Sequence, residues 1–226
     1  MSQISQMKNI KLLFLFFLIG NLVFAQDQKP AFWDDIQAFK KQDSIQPPPS
    51  HAILFVGSSS FTKWTDVHNY FPGYTIINRG FGGSSLPDLI RYENDVIFKY
   101  KPKEIVIYCG ENDLAGSDTV TGDLVYKRFA ALFGQIRKKM PTVPVVFISL
   151  KPSPSRWQLR QKMITANNKI KGFLLKQKNV VFVDVYHKML GADGLPLKDI
   201  YLDDNLHMNA KGYAIWEKQI QPHLLK

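Results

Sequence analysis

Asp204 and His207, with Asn205 and Leu206 between them, form the pairing in this sequence that points most directly to chemistry. A carboxylate three residues before an imidazole can share one short loop with it, bond to Nδ1 and leave Nε2 free to take a proton. Such a pair can activate a hydroxyl for acyl transfer from an ester, which also requires donors aimed at the oxyanion of a tetrahedral intermediate. Ser58, Ser59 and Ser60 follow Gly57, where a chain can turn and present a hydroxyl. The same serines equally suit plain turn and capping roles. Asn112, after Gly110 and Glu111, can donate an amide hydrogen to an oxyanion without adding charge, or serve an ordinary turn. Gly80, Gly82 and Gly83 permit positive φ and close approach to a ligand, which fits an oxyanion N–H or a phosphate cradle. The glycine spacing and the Lys-Ser/Thr ending of a nucleotide loop are missing. Metal ligation is the rival role for His207, but His51, His68, His187 and His223 are scattered, so no metal site is expected. Asp203 and Asp199 are alternative orienting carboxylates; Asp204 has the matching offset.

These groups need a frame. Apolar runs at 52–56, 74–77, 104–108, 143–149 and 180–185 predict five strands, and amphipathic stretches at 124–139, 157–176 and 210–224 predict helices, with another from Pro87 to about Tyr100. The alternation indicates an α/β class with a parallel sheet covered on both faces. In such sheets ligands bind beyond the carboxyl ends of the strands, and the polar clusters 57–60, 78–83, 110–113 and 151–156 all follow predicted strands. In the last of these, Arg156 is a candidate for an anionic substrate group, as is Arg79, and Trp157 for stacking on a sugar. Trp157 can equally begin a helix and pack inward.

The clusters occur in the order and spacing of the GDSL-type esterase/lipase superfamily, the SGNH hydrolases, and residues 52–225 resemble it. The block 55–60 is similar to the family's Gly-Asp-Ser-Leu, with Ser59 at the nucleophile position; Ser58 stands for the usual Asp and Ser60 for the Leu. The resemblance implies an oxyanion hole from the N–H groups of Ser59 and Gly83 and the Asn112 amide, and a triad of Ser59, His207 and Asp204. It further implies a three-layer α/β/α sandwich with a five-stranded parallel sheet (flavodoxin-like, SGNH hydrolase fold), hydrolysis of a small ester, and no cofactor. The acyl length is open: a short-acyl esterase, for instance a carbohydrate O-deacetylase, is the first expectation, and a lysophospholipase or a non-catalytic glycan- or lipid-binding module are the alternatives.

The rest of the chain bounds the setting. Lys8 and Lys11 precede a short apolar run that ends in Val23, Phe24 and Ala25, the pattern of a secretory signal peptide cleaved near Ala25. The expected organisation is a signal at 1–25, a helix and Pro-rich linker at 26–50, and a hydrolase domain at 51–226. A periplasmic or secreted protein without a stable membrane anchor follows; a retained N-terminal anchor is the alternative. Segment 1–25 holds two lysines and no acid, so the net charge of +10 becomes +8 without it. The cations are dispersed, often at helix ends, which argues against a nucleic-acid partner. The single cysteine, Cys109, follows four apolar residues and reads as a buried, inert thiol. Oligomeric state is not legible.

Overall fold

The computed structural model describes residues 29–226; the expected signal peptide at 1–25 lies outside them. In chain order the principal elements are α1 (Trp33–Ile45), β1 (Ile53–Gly57), α2 (Ser59–Thr62), α3 (Val67–Tyr70), β2 (Ile76–Gly80), α4 (Leu86–Arg91), α5 (Glu93–Val96), β3 (Glu104–Tyr108), α6 (Glu111–Ala115), α7 (Gly122–Lys139), β4 (Val145–Ile148), α8 (Arg160–Leu174), β5 (Val180–Val183) and α9 (Ala210–Ile220).

The strands form one sheet in the order β2-β1-β3-β4-β5, with every pairing parallel. Strand residues alternate between two cores because successive side chains point to opposite faces. Leu54, Val56, Ile105, Ile107 and Phe147 face α7 and α8, through Phe129, Ile136, Met163 and Ile170. Phe55, Val106, Tyr108 and Ile148 face the other layer, which contributes Phe61, Trp64 and Trp216. Both faces are covered, so the strands read as continuous apolar runs. Residues Phe32–Lys226 form one compact unit that includes α1.

Three expectations differ in detail. The single helix from Pro87 to Tyr100 is instead α4, α5 and a short 3-10 turn, Phe98–Tyr100. The chain breaks at Ile97 (φ −124°, ψ −66°), where Val96 and Ile97 are both fully buried. The short helices α2, α3 and α6 escape periodicity because four or five residues make barely one turn. The helix starting near Trp157 begins at Arg160, after a 3-10 segment from Pro154 to Leu159.

Candidate active site

β1 and β3 are sheet neighbours, yet the chain runs from β1 to β2 on one side before returning to β3 on the other. The loops after β1 and β3 therefore diverge and leave a crevice at the carboxyl ends of these strands. Gly57 closes β1 with φ 150°. A Cβ there would lie 1.9 Å from the Tyr108 carbonyl oxygen, so no larger residue fits. The Gly57 carbonyl accepts from Phe81 N–H at 2.9 Å and from Ser84 Oγ at 3.2 Å, which draws the Gly-rich loop against the turn. Ser58 caps α2, its carbonyl accepting from Phe61 N–H at 2.9 Å, and is buried; Ser60 is buried too, its carbonyl tied to Tyr213 OH at 2.9 Å. Of the three serines only Ser59 is part-exposed.

Ser59 Oγ lies 3.0 Å from His207 Nε2. His207 Nδ1 in turn meets Asp204 Oδ2 at 2.5 Å. The loop carrying the pair is closed by Leu202 N–H donating to the His207 carbonyl at 2.8 Å, and Asn205 takes a left-handed φ of 54° at its tip. The other Asp204 oxygen accepts from the N–H groups of Leu206 and His207, both at 2.9 Å. Desolvation raises the Asp204 pKa, but the His207 hydrogen bonds and Leu206 N–H outweigh it and hold the carboxyl at about 2. Asp199 pairs instead with Lys211 at 3.0 Å. A second Asp-x-x-His, Asp184 and His187, also forms a bonded pair at 2.7 Å. It sits after β5, and among the described residues no serine hydroxyl bonds its ring.

The Gly-rich loop works by more than flexibility. Only Gly83 there has positive φ, 86°; Gly80 is required because a Cβ would sit 2.6 Å from that of Phe61, and Gly82 leaves open room beside Ser59. Among the described residues, nothing accepts from the backbone N–H of Ser59 or Gly83. Asn112 is half-buried, with Nδ2 donating to the Ser84 carbonyl at 3.0 Å and Oδ1 accepting from Arg156 Nη1 at 3.0 Å. A nucleophilic hydroxyl, a bonded imidazole–carboxylate pair and free N–H donors on one rim are what acyl transfer requires.

The expected substrate contacts are all engaged by neighbours within the protein. Arg79 is buried and donates to Asp43 at 2.5 Å, to Tyr100 OH at 2.6 Å and to the Asn78 carbonyl at 2.8 Å, so it fastens α1 to β2 rather than facing a ligand. Arg156 bonds Asn112 and Glu111. Trp157 packs toward the core, with the Arg160 guanidinium 5.4 Å from its ring centroid. A cavity of about 430 Å³ is lined by Gln42, Pro48, His68 and Arg79 and by none of Ser59, Gly83, Asn112 or His207.

Beneath Asn112 lies a group with no counterpart among the expected site residues. Glu111 is buried and receives Tyr108 OH at 2.5 Å, Lys151 Nζ at 2.7 Å and Ser153 Oγ at 2.8 Å. Burial alone would raise its pKa; Lys151, Arg156 and Tyr108 reverse this, and the carboxyl stays below its ordinary range. The available signal was Lys151 directly after an apolar strand, a cation where burial demands a partner. Cys109 is buried, which pushes its thiol well up and leaves it unreactive. Among the described residues, no group of three or more His, Cys, Asp or Glu could hold a metal ion, and no helix is long and apolar enough to cross a membrane.

The profile of the GDSL-like lipase/acylhydrolase family matches residues 53–215. Among solved structures, an acylhydrolase assigned in Bacteroides fragilis is 25% identical with a TM-score of 0.72, over 84% of this chain and 95% of that one. A GDSL-like lipase of Bacteroides thetaiotaomicron is 24% identical, TM-score 0.70, over 83% and 95%. A catalytic mutant of an acetylxylan esterase from Geobacillus stearothermophilus is 15% identical, TM-score 0.61, over 78% and 95%. No curated protein matches the sequence directly.

Proposed function

Since the chain belongs to the GDSL-like lipase/acylhydrolase family, we propose that it is an exported carboxylic ester hydrolase that removes short acyl groups through an acyl-enzyme on Ser59. The observation that carries this reading is the 3.0 Å contact of Ser59 Oγ with His207 Nε2, backed by Asp204. His207 takes the Ser59 proton as Oγ attacks the ester carbonyl, and Asp204 steadies the imidazolium. The N–H groups of Ser59 and Gly83 and the Asn112 amide receive the oxyanion. The alcohol departs with the proton from His207, and water then cleaves the acyl-enzyme by the same route.

A short acyl group suits a crevice in which the Phe32 ring comes within 3.7 Å of the Gly83 Cβ position. The fold shared with an acetylxylan esterase agrees with acetyl esters of carbohydrates as the substrate class. Export rests on the basic start and short apolar run of residues 8–25, and N-terminal sequencing of the mature protein should begin near Gln26.

Incubation with a fluorophosphonate should label Ser59, as located by mass spectrometry, with parallel turnover of p-nitrophenyl acetate. Ser59→Ala should fold yet lose both labelling and turnover. Full activity in Ser59→Ala, or an adduct elsewhere, refutes the assignment.

A further inference from the structure

An asparagine amide fits its site in two nearly isosteric orientations that exchange a carbonyl for two N–H groups. Only one of them lets Asn112 serve as an oxyanion donor. Two contacts of opposite polarity select it. The Ser84 carbonyl can only accept, and it takes one Nδ2 hydrogen at 3.0 Å. The Arg156 guanidinium can only donate, and its Nη1 meets Oδ1 at 3.0 Å. In the rotated state a carbonyl would face a carbonyl and N–H groups would face a cation. The chosen state leaves one Nδ2 hydrogen uncommitted.

Arg156 is itself held. The same Nη1 lies 3.3 Å from Glu111 Oε1, and its side chain is 19% exposed. Glu111 cannot swing away, because Lys151, Tyr108 and Ser153 already grip it from inside the protein. The two cations around one carboxylate leave Arg156 with charge not cancelled by Glu111, and this polarises the Asn112 amide toward donation.

We propose that Arg156 is a positioning residue of the oxyanion hole, locking Oδ1 of Asn112 so that Nδ2 stays turned toward the reacting oxygen, with buried Glu111 anchoring the guanidinium. This deepens the acyl-transfer reading and rests on it. It replaces a substrate-binding role for Arg156, whose Nη1 already meets both Asn112 and Glu111.

The test is a double-mutant cycle on p-nitrophenyl acetate with wild type, Arg156→Met, Asn112→Ala and the double variant. Arg156→Met should lower kcat by about 10–10² with KM nearly unchanged, less than the roughly 10²–10³ expected for Asn112→Ala. The double variant should be no slower than Asn112→Ala beyond about twofold, because residues that act as a unit are not additive. Arg156→Lys keeps cationic N–H donors and should fall between Arg156→Met and wild type. If Arg156→Met fails to fold, Arg156→Lys enters the cycle in its place, and its loss should likewise vanish once Asn112 is Ala. Losses that multiply in the double variant, a defect confined to KM, or Arg156→Lys as slow as Arg156→Met overturn the assignment. Fluorophosphonate labelling of wild type separates the two levels: with Ser59 labelled, multiplicative losses sink only the role of Arg156, whereas an unlabelled, inactive wild type sinks acyl transfer and this role together.

Discussion

At the scale of single residues, the site depends on charges held in place by short contacts. Asp204 is the clearest case, a half-exposed carboxylate that receives the His207 ring and two N–H groups. A carboxyl held at about 2 is ionised throughout the neutral and mildly acidic range. Its folded pKa is depressed, so its bond to His207 is fully formed above the ordinary carboxylate pKa and is lost only as pH falls through about 2. Carbon-13 NMR of labelled aspartate carboxyls should therefore give Asp204 a titration midpoint near 2, and a midpoint above about 4 would contradict the bonding described. Replacing it by Asn removes the group that fixes the ring tautomer, and by analogy with serine hydrolases a loss in kcat of order 10⁴ is expected.

Among the elements, α1 shows how a segment that looks peripheral in sequence becomes part of the domain. Asp43 on α1 receives Arg79 of β2 at 2.5 Å, Lys99 at 2.7 Å and Tyr100 OH at 2.7 Å, while the Arg79 guanidinium also stacks 5.1 Å from the Phe39 ring centroid. The start of the same segment reaches the site, with a Phe32 ring carbon 3.7 Å from where a Gly83 Cβ would be. Removing one partner of a buried ion pair strands the other, at a cost of about 3–5 kcal/mol. Asp43→Ala should accordingly lower the melting temperature by about 10 °C, with Lys99→Ala a milder control. Desolvation raises the Asp43 pKa, but Lys99, Tyr100 and Arg79 together leave it lowered. Its stabilising effect is thus present above the ordinary carboxylate pKa and fades as pH falls through the lower folded value. The gap in melting temperature between wild type and Asp43→Ala should narrow below about pH 4; a gap that widened in acid would reverse the sign assigned to this pair.

For the whole molecule, strand order decides which groups can meet. Two Asp-x-x-His pairs exist, and both form a hydrogen bond. The pair at 184–187 follows β5, an edge strand three places from β1, while the pair at 204–207 lies on the loop that leads into α9, whose Tyr213 is bonded to the Ser60 carbonyl. Only His207 reaches Ser59, across 148 residues of chain. His187 is exposed at the surface, with 71% of its side chain accessible. His187→Ala should therefore leave turnover and stability near wild type, within the roughly 0.5 kcal/mol usual for surface changes, whereas His207→Ala should abolish turnover. Equal losses in a p-nitrophenyl acetate assay would show that topology had been misjudged.

Sequence alone determined the α/β class, the five strands and the identities of Ser59, Asn112, Asp204 and His207 as candidates. Periodicity reports burial directly, and short motifs place their residues on known turns. Residue types and spacing left Ser58, Ser59 and Ser60 undistinguished, and only the family resemblance singled out Ser59, because exposure of a hydroxyl depends on the helix that buries its neighbours. They also left Arg79 and Arg156 as free cations, since the acids that claim them are 36 and 45 positions away. Those pairings and the buried Glu111 cluster under Asn112 arise from contacts between distant segments. Such contacts exist only once the sheet has ordered its strands, and no local pattern encodes them.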